Sequence, residues 1–187
     1  METKVIAVEW APNWWKSTLI SHVSDFYGSI DANVKVYPEV ARVVMEDFPG
    51  SEHDQDKFQE IIYHRESERL HRLEQDIKSN IYDLILVDRT SLSGWIFWMF
   101  NEDSGASTKL NPSVFNPSLY SSVILFTDPI GLYKWDVDAF KWYNDWALND
   151  LFKKYIPYCY PQTKQFSNYL EQEEEVKEHI ASILLNK

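Results

Sequence analysis

The sequence predicts an α/β protein of three layers, with a parallel sheet of about five strands covered by helices on both faces. Three observations predict it. Short, apolar, β-branched runs alternate with longer segments whose apolar residues recur at helical spacing. The runs KVIAVE (4–9) and YDLILV (82–87) lack a polar face, as strands buried on both sides do. Polar residues gather just past the strand ends, where sheets of this kind bind ligands. These are Lys16 and Ser17 after the first strand, Glu39 and Arg42 after the second, Asp88 and Arg89 after the third, and Asp128 after the fourth.

The elements follow in order. The strand at 4–9 leads through a loop into a helix over 17–26. A second strand, NVKVY at 33–37, precedes PEVARVVMEDF, where Pro38 suits the first turn of a helix. Residues 54–79 form a long polar helix whose charges read as a solvated face. Phe58, Ile61, Ile62, Leu70, Leu73 and Ile77 make its apolar stripe. The third strand, at 82–87, ends in Asp88 and Arg89, and a helix carrying Trp95, Phe97, Trp98 and Phe100 comes next. Residues 101–118, rich in Ser, Asn and Pro, read as an exposed loop. A fourth strand, SVILFT at 122–127, is followed by a lid-like segment over 131–155 that runs into a helix. A short strand at 163–166 and a helix over 170–185 complete a single domain over residues 1–187.

Composition narrows the class. At 187 residues, 44% hydrophobic and 25% charged, the chain has enough apolar material for one folded domain. A net charge of −11 with no basic stripe argues against binding a nucleic-acid polymer. A mononucleotide needs only a few local cations and backbone donors, so that class survives. One cysteine, Cys159, excludes an internal disulfide and makes a reducing cytoplasm the expected compartment. Its plainest role is packing. No run reaches the roughly 18 apolar residues of a membrane helix, the start METKVIAVEW lacks a secretory h-region, and no membrane partner is expected. His22, His53, His64, His71 and His179 show no metal-ligand grouping and read as surface residues.

A phosphate-binding loop of the form G-x-x-x-x-G-K-[ST] lies between a strand and a helix. Residues 10–17 read W-A-P-N-W-W-K-S, with Lys16 and Ser17 in the last two places and Trp10 and Trp15 where the glycines belong. A lysine there reaches the outer phosphates of a nucleotide, and the hydroxyl ligates magnesium.

With PEVAR after strand two, the long charged helix, YDLILVDR and FTDP, this order resembles the P-loop NTPases. It is most similar to the AAA-type ATP-binding proteins that include the ribosylnicotinamide kinase domain. The resemblance covers most of residues 4–186 and rests mainly on 10–18, 37–42 and 82–89. It implies the strand order 2-3-1-4-5, ATP and Mg2+ as ligands, and phosphoryl transfer to a small-molecule acceptor of nucleoside or nucleotide type. It also implies that Ala11, Pro12, Asn13, Trp14, Trp15, Lys16, Ser17 and Thr18 cradle the phosphates, and that Ser17 and Asp88 hold the metal. Lys16, Asp88 and Arg89 are the implied catalytic group, with Glu39 and Arg42 at the acceptor. Lys134 and Lys141 fall in the lid, where relatives offset phosphoryl charge. The same positions also admit plainer roles, such as helix capping at Ser17 or a first-turn acid at Glu39. A homodimer stays open.

The tryptophans conflict with this motif. Glycine permits the loop's backbone torsions and lets phosphates approach bare amides, which an indole at 10 or 15 would crowd. One explanation is a degenerate relative that kept the fold as a nucleotide-free interaction module. The other is decoding, because UGA specifies glycine in some bacterial lineages and tryptophan under another code. The chain holds 5 glycines and 8 tryptophans, a joint total matching the roughly 13 glycines that average usage predicts. Reverting Trp10, Trp14 and Trp15 yields GAPNGGKS, a complete motif. Three functions therefore stand: a kinase, an NTPase switch, and a module that binds no nucleotide.

Overall fold

The computed structural model describes residues 2–10, 15–100, 116–127, 146–167 and 169–185. Five strands form one parallel sheet: β1 (Lys4–Glu9), β2 (Val34–Tyr37), β3 (Leu84–Asp88), β4 (Ser122–Phe126) and β5 (Thr163–Phe166). Their order is β2-β3-β1-β4-β5, as the resemblance implied. The central position of β1 fixes the geometry of everything past its end. Its register sets Val8 beside Asp88 on one flank and beside Ile124 on the other.

Alternation along the central strands builds two apolar layers. Ile6 and Val8 of β1, with Leu84, Leu86, Ile124 and Phe126, face helices α1 (Trp15–Ser29) and α6 (Tyr169–Leu185) through Leu19, Ile20, Val23, Val176 and Ile180. Val5 and Ala7, with Ile85, Val87, Val123 and Leu125, face the other way. They pack on α3 (Gln55–Ser79), α4 (Leu92–Phe100) and α5 (Trp146–Cys159) through Leu73, Leu92, Ile96, Leu148, Phe152 and Ile156. The three-layer expectation therefore holds. Among the described residues, no helix is long and apolar enough to cross a membrane.

Several boundaries move for physical reasons. Pro38 is not in a first helical turn: α2 spans Val40–Asp47, and Glu39, with extended φ of −60° and ψ of 124°, is its N-cap. Proline instead holds the chain extended as it leaves β2. Helix α1 begins at Trp15, two residues before the expected start, so Lys16 and Ser17 lie inside its first turn. Helix α3 runs to Ser79 and stops at Asn80, which takes the left-handed conformation that asparagine tolerates at a helix end (φ 52°). On that helix Leu73 is fully buried, while Phe58, Ile61, Ile62, Leu70 and Ile77 are half-buried. The helix in the lid-like segment begins at Trp146; residues 131–145 and the loop at 101–115 lie outside the described residues. A short 3-10 turn, Pro117–Leu119, leads into β4.

Candidate functional site

Strand β1 delivers Glu9 and Trp10 to the carboxyl edge of the sheet, and β3 delivers Asp88 and Arg89 beside them. Backbone bonding continues one residue past β3, because the Arg89 amide donates to the Val8 carbonyl at 3.1 Å. From the first turn of α1, Ser17 Oγ donates to Asp88 Oδ2 at 3.0 Å. Lys16 Nζ lies 3.6 Å from Asp88 Oδ1 and 3.9 Å from Glu39 Oε2. Lys16, Ser17, Glu39, Asp88 and Arg89 thus converge, although 72 positions separate the first from Asp88. Thr18 follows half-buried in α1. Arg42, in the first turn of α2, helps to lower the Glu39 carboxyl by its charge.

Lys16 is 1% exposed, and its ammonium has no hydrogen-bond partner; Asp88 Oδ1 beside it has none either. Burial, and then the Arg89 charge, push the Lys16 amine below the usual lysine range, against the opposing pull of Glu39, Asp88 and Glu9. Burial alone would raise Glu39. The charges of Arg89 and Lys16 and a hydrogen bond from Arg89 outweigh it and hold the carboxyl at about 2. An ammonium at these distances is attracted by both carboxylates but satisfied by neither, a state that an anion with free oxygens would relieve. A buried carboxylate oxygen without a donor is suited in the same way to a cation. The residues present therefore fit both a phosphate and a divalent metal.

Arg89 is committed differently. Its Nε donates to Glu39 Oε1 at 2.5 Å and its NH1 to the Trp10 carbonyl at 2.9 Å. The guanidinium lies over the rings of Phe97 and Phe152, 5.1 and 5.7 Å from their centroids. Its backbone is left-handed, with φ at 73°, which costs an ordinary side chain about 1–2 kcal/mol. Arg89 therefore ties the end of β1 to the end of β2 and is no free surface cation.

Trp10 does not crowd the site with its ring. The indole belongs to the apolar layer under α1 and α6, tilted 38° against Phe126 at 5.2 Å, and its buried Nε1 has no partner. The expectations for Ala11, Pro12, Asn13, Trp14, Asp128, Lys134 and Lys141 fall outside the described residues. Trp15 opens α1.

Two residues of this region were not singled out from the sequence. Glu9, fully buried, receives the Thr90 amide at 2.5 Å and the Thr90 hydroxyl at 2.6 Å. The Ser93 hydroxyl lies 2.7 Å from both of its oxygens. Burial raises this carboxyl despite Arg89 and those donors. Arg69, 5% exposed, reaches from α3 to the carbonyls of Asp88 and Arg89. Both carried a signal: Glu9 is the acid that closes the apolar run VIAV, and Arg69 lies four residues before Leu73 on the apolar stripe.

Elsewhere the plainer readings suffice. Burial raises the Cys159 thiol, as for a packing residue. His179 is half-buried, not a surface residue, with Nε2 3.0 Å from Ser122 Oγ; burial lowers its pKa. No group of acidic, histidine and cysteine side chains among the described residues is arranged to hold a metal by itself. Compared with known proteins, the chain matches no family model and no curated protein.

Proposed function

We propose that the chain is a P-loop protein that binds ATP with Mg2+ and transfers the γ-phosphoryl group to a small acceptor of nucleoside or nucleotide type. The observation that carries this reading is the Lys16 ammonium, buried without a hydrogen bond beside an Asp88 oxygen that also lacks one, with Ser17 already on Asp88. Helix α1 supports it further. Its first turn holds Lys16 and Ser17 and contains no acid, so no side-chain charge there offsets the positive end of the helix dipole.

In this reading Lys16 would bind the outer phosphates, and Ser17 directly and Asp88 through water would hold the magnesium. The metal supplies charge neutralisation on the phosphate oxygens. Lys16 adds a fixed positive charge where negative charge develops, and burial strengthens that interaction. The acceptor hydroxyl lies between Asp88 and Glu39. Its oxygen bonds to the γ-phosphorus as the bond to the bridging oxygen breaks; ADP leaves, and the acceptor proton passes to Asp88. Glu39, held at about 2, is a weak base near neutrality and suits acceptor binding better than proton removal. We assign the protein to the cytoplasm on its lone cysteine.

A thermal-shift titration with ATP and Mg2+ tests the reading, run on the chain and on a W10G/W14G/W15G version. Stabilisation by about 2–4 kcal/mol at saturating ligand is expected in at least the glycine version. Turnover with a panel of nucleosides then separates transfer from simple hydrolysis. If neither version responds, the nucleotide-free module replaces this proposal.

A further inference from the structure

Asp88 can serve Ser17 and Lys16 only if the turn after β3 is held in place, and that turn contains the left-handed Arg89. Two buried side chains of opposite charge grip it. Glu9 takes the Thr90 amide and hydroxyl on one side. On the other, Arg69 NH1 donates to the Asp88 carbonyl at 3.2 Å and NH2 to the Arg89 carbonyl at 3.0 Å. Each ion meets the backbone groups of the opposite polarity.

We propose that Arg69 is a positioning residue, whose planar fork fixes the Asp88–Arg89 carbonyls and thereby aims the Asp88 carboxylate at Ser17. The inference rests on the reading of Asp88 as a metal-holding residue. Three facts carry it. Burying a guanidinium is unfavourable unless it is paired, and this one directs NH1 and NH2 at two successive carbonyls of the site and lies 2.6 Å from Glu66, while its Nε is buried without a partner. The two carbonyls lie at the end of β3 and just beyond it, where the left-handed residue interrupts the strand and a second support is needed. Lysine cannot reproduce the grip, since a point charge does not span two acceptors as a rigid fork does. Helix α3 thus has a function its charge pattern conceals: it reaches the site through Arg69 and Glu66, while Arg65, Glu68 and Arg72 of the same helix pair at the surface.

The test uses the form of the chain that binds ATP in the titration above, with R69K, the charge-neutral pair R69M/E66Q, and S17A as a control on the metal site. The pair guards against misfolding, because R69M alone would leave Glu66 buried without its partner. In the nucleotide-free protein, amide exchange of residues 88–93 is expected to accelerate about tenfold in R69M/E66Q while β1 stays protected. The Mg2+ concentration for half-maximal ATP binding is expected to rise about tenfold in R69M/E66Q and R69K, with ATP affinity in EDTA unchanged. Unchanged exchange over 88–93, or an unchanged Mg2+ requirement, overturns the positioning role. A parent chain whose ATP binding ignores Mg2+, or is insensitive to S17A, overturns the metal-site reading instead, and that result appears before any change at Arg69.

Discussion

In the proposed function, binding of the outer phosphates falls to one side chain, Lys16. An ammonium 1% exposed, with carboxylates at 3.6 and 3.9 Å and no hydrogen bond, is energetically unfinished. Its neighbour Glu39 is expected to contribute to stability through its paired carboxylate. Its folded pKa, about 2, lies below the ordinary 4.5, so its stabilisation is complete above about pH 4.5 and is lost as pH falls towards 2. A shift of that size corresponds to about 3 kcal/mol. Thermal unfolding followed from pH 6 down to about 2 is therefore expected to show a steeper fall in Tm for the parent than for Glu39→Gln. Parallel curves would contradict the ion cluster. Trp10 gives a second residue-level prediction. Truncating a well-packed buried aromatic costs about 3–5 kcal/mol. Its indole N–H is buried without an acceptor, which offsets part of that packing. If position 10 is natively glycine, denaturant unfolding of Trp10→Gly shows a loss below about 3 kcal/mol. A full loss favours a genuine tryptophan, and UGG codons at 10 and 15 settle the matter against decoding. Lys16 and Ser17 were legible because a strand, a short loop and a helix put them in a motif, and Asp88 because it closes an apolar strand. Glu9 and Arg69 each left a local hint, an acid closing a strand and an arginine in line with Leu73, but their partners lie 81 and 19–20 positions away and could not be read from that spacing.

Helix α3 shows how an element can carry two messages. Its sequence is dominated by charges, and surface pairs such as Arg72–Glu68, at 3.3 Å with both side chains more than half exposed, account for many of them. Exposed pairs contribute little, so Arg72→Ala is expected to change unfolding free energy by about 0.5 kcal/mol or less. Leu73, one position later, is 1% exposed in the layer against β3 and α5, and Leu73→Ala is expected to cost about 3 kcal/mol in the same denaturant assay. Equal effects would mean that the helix is not docked as described. The apolar stripe was readable from period alone, but the inward turn of Arg69 was not, because a lone arginine on a polar helix normally faces water. Strand β1 was readable to the residue, since the apolar VIAV of KVIAVE is closed by a charge at each end, Lys4 and Glu9. The start of α2 was not: proline suits both the first helical turn and an extended approach, and the choice fell to the backbone at Glu39.

At the scale of the whole molecule, the order β2-β3-β1-β4-β5 puts the ends of β1, β2 and β3 side by side. That adjacency brings Glu9, Glu39 and Asp88 together with Lys16 and Arg89, a concentration of charge at one edge of an otherwise apolar sheet. Alternating strands and helices made the layers predictable, whereas the charge cluster exists only once the crossovers are closed. Under the proposed function this cluster is a phosphate and metal site headed by Lys16. Calorimetric titration of ATP with Mg2+ into the ATP-binding form of the chain, beside its Lys16→Met variant, tests that claim most directly. Removing the buried ammonium should weaken binding about 100-fold, since hydrogen bonds to charged groups contribute about 1.5–3 kcal/mol. Equal affinity in the two proteins would contradict the account, and so would the absence of binding in both the chain as written and its glycine-restored form.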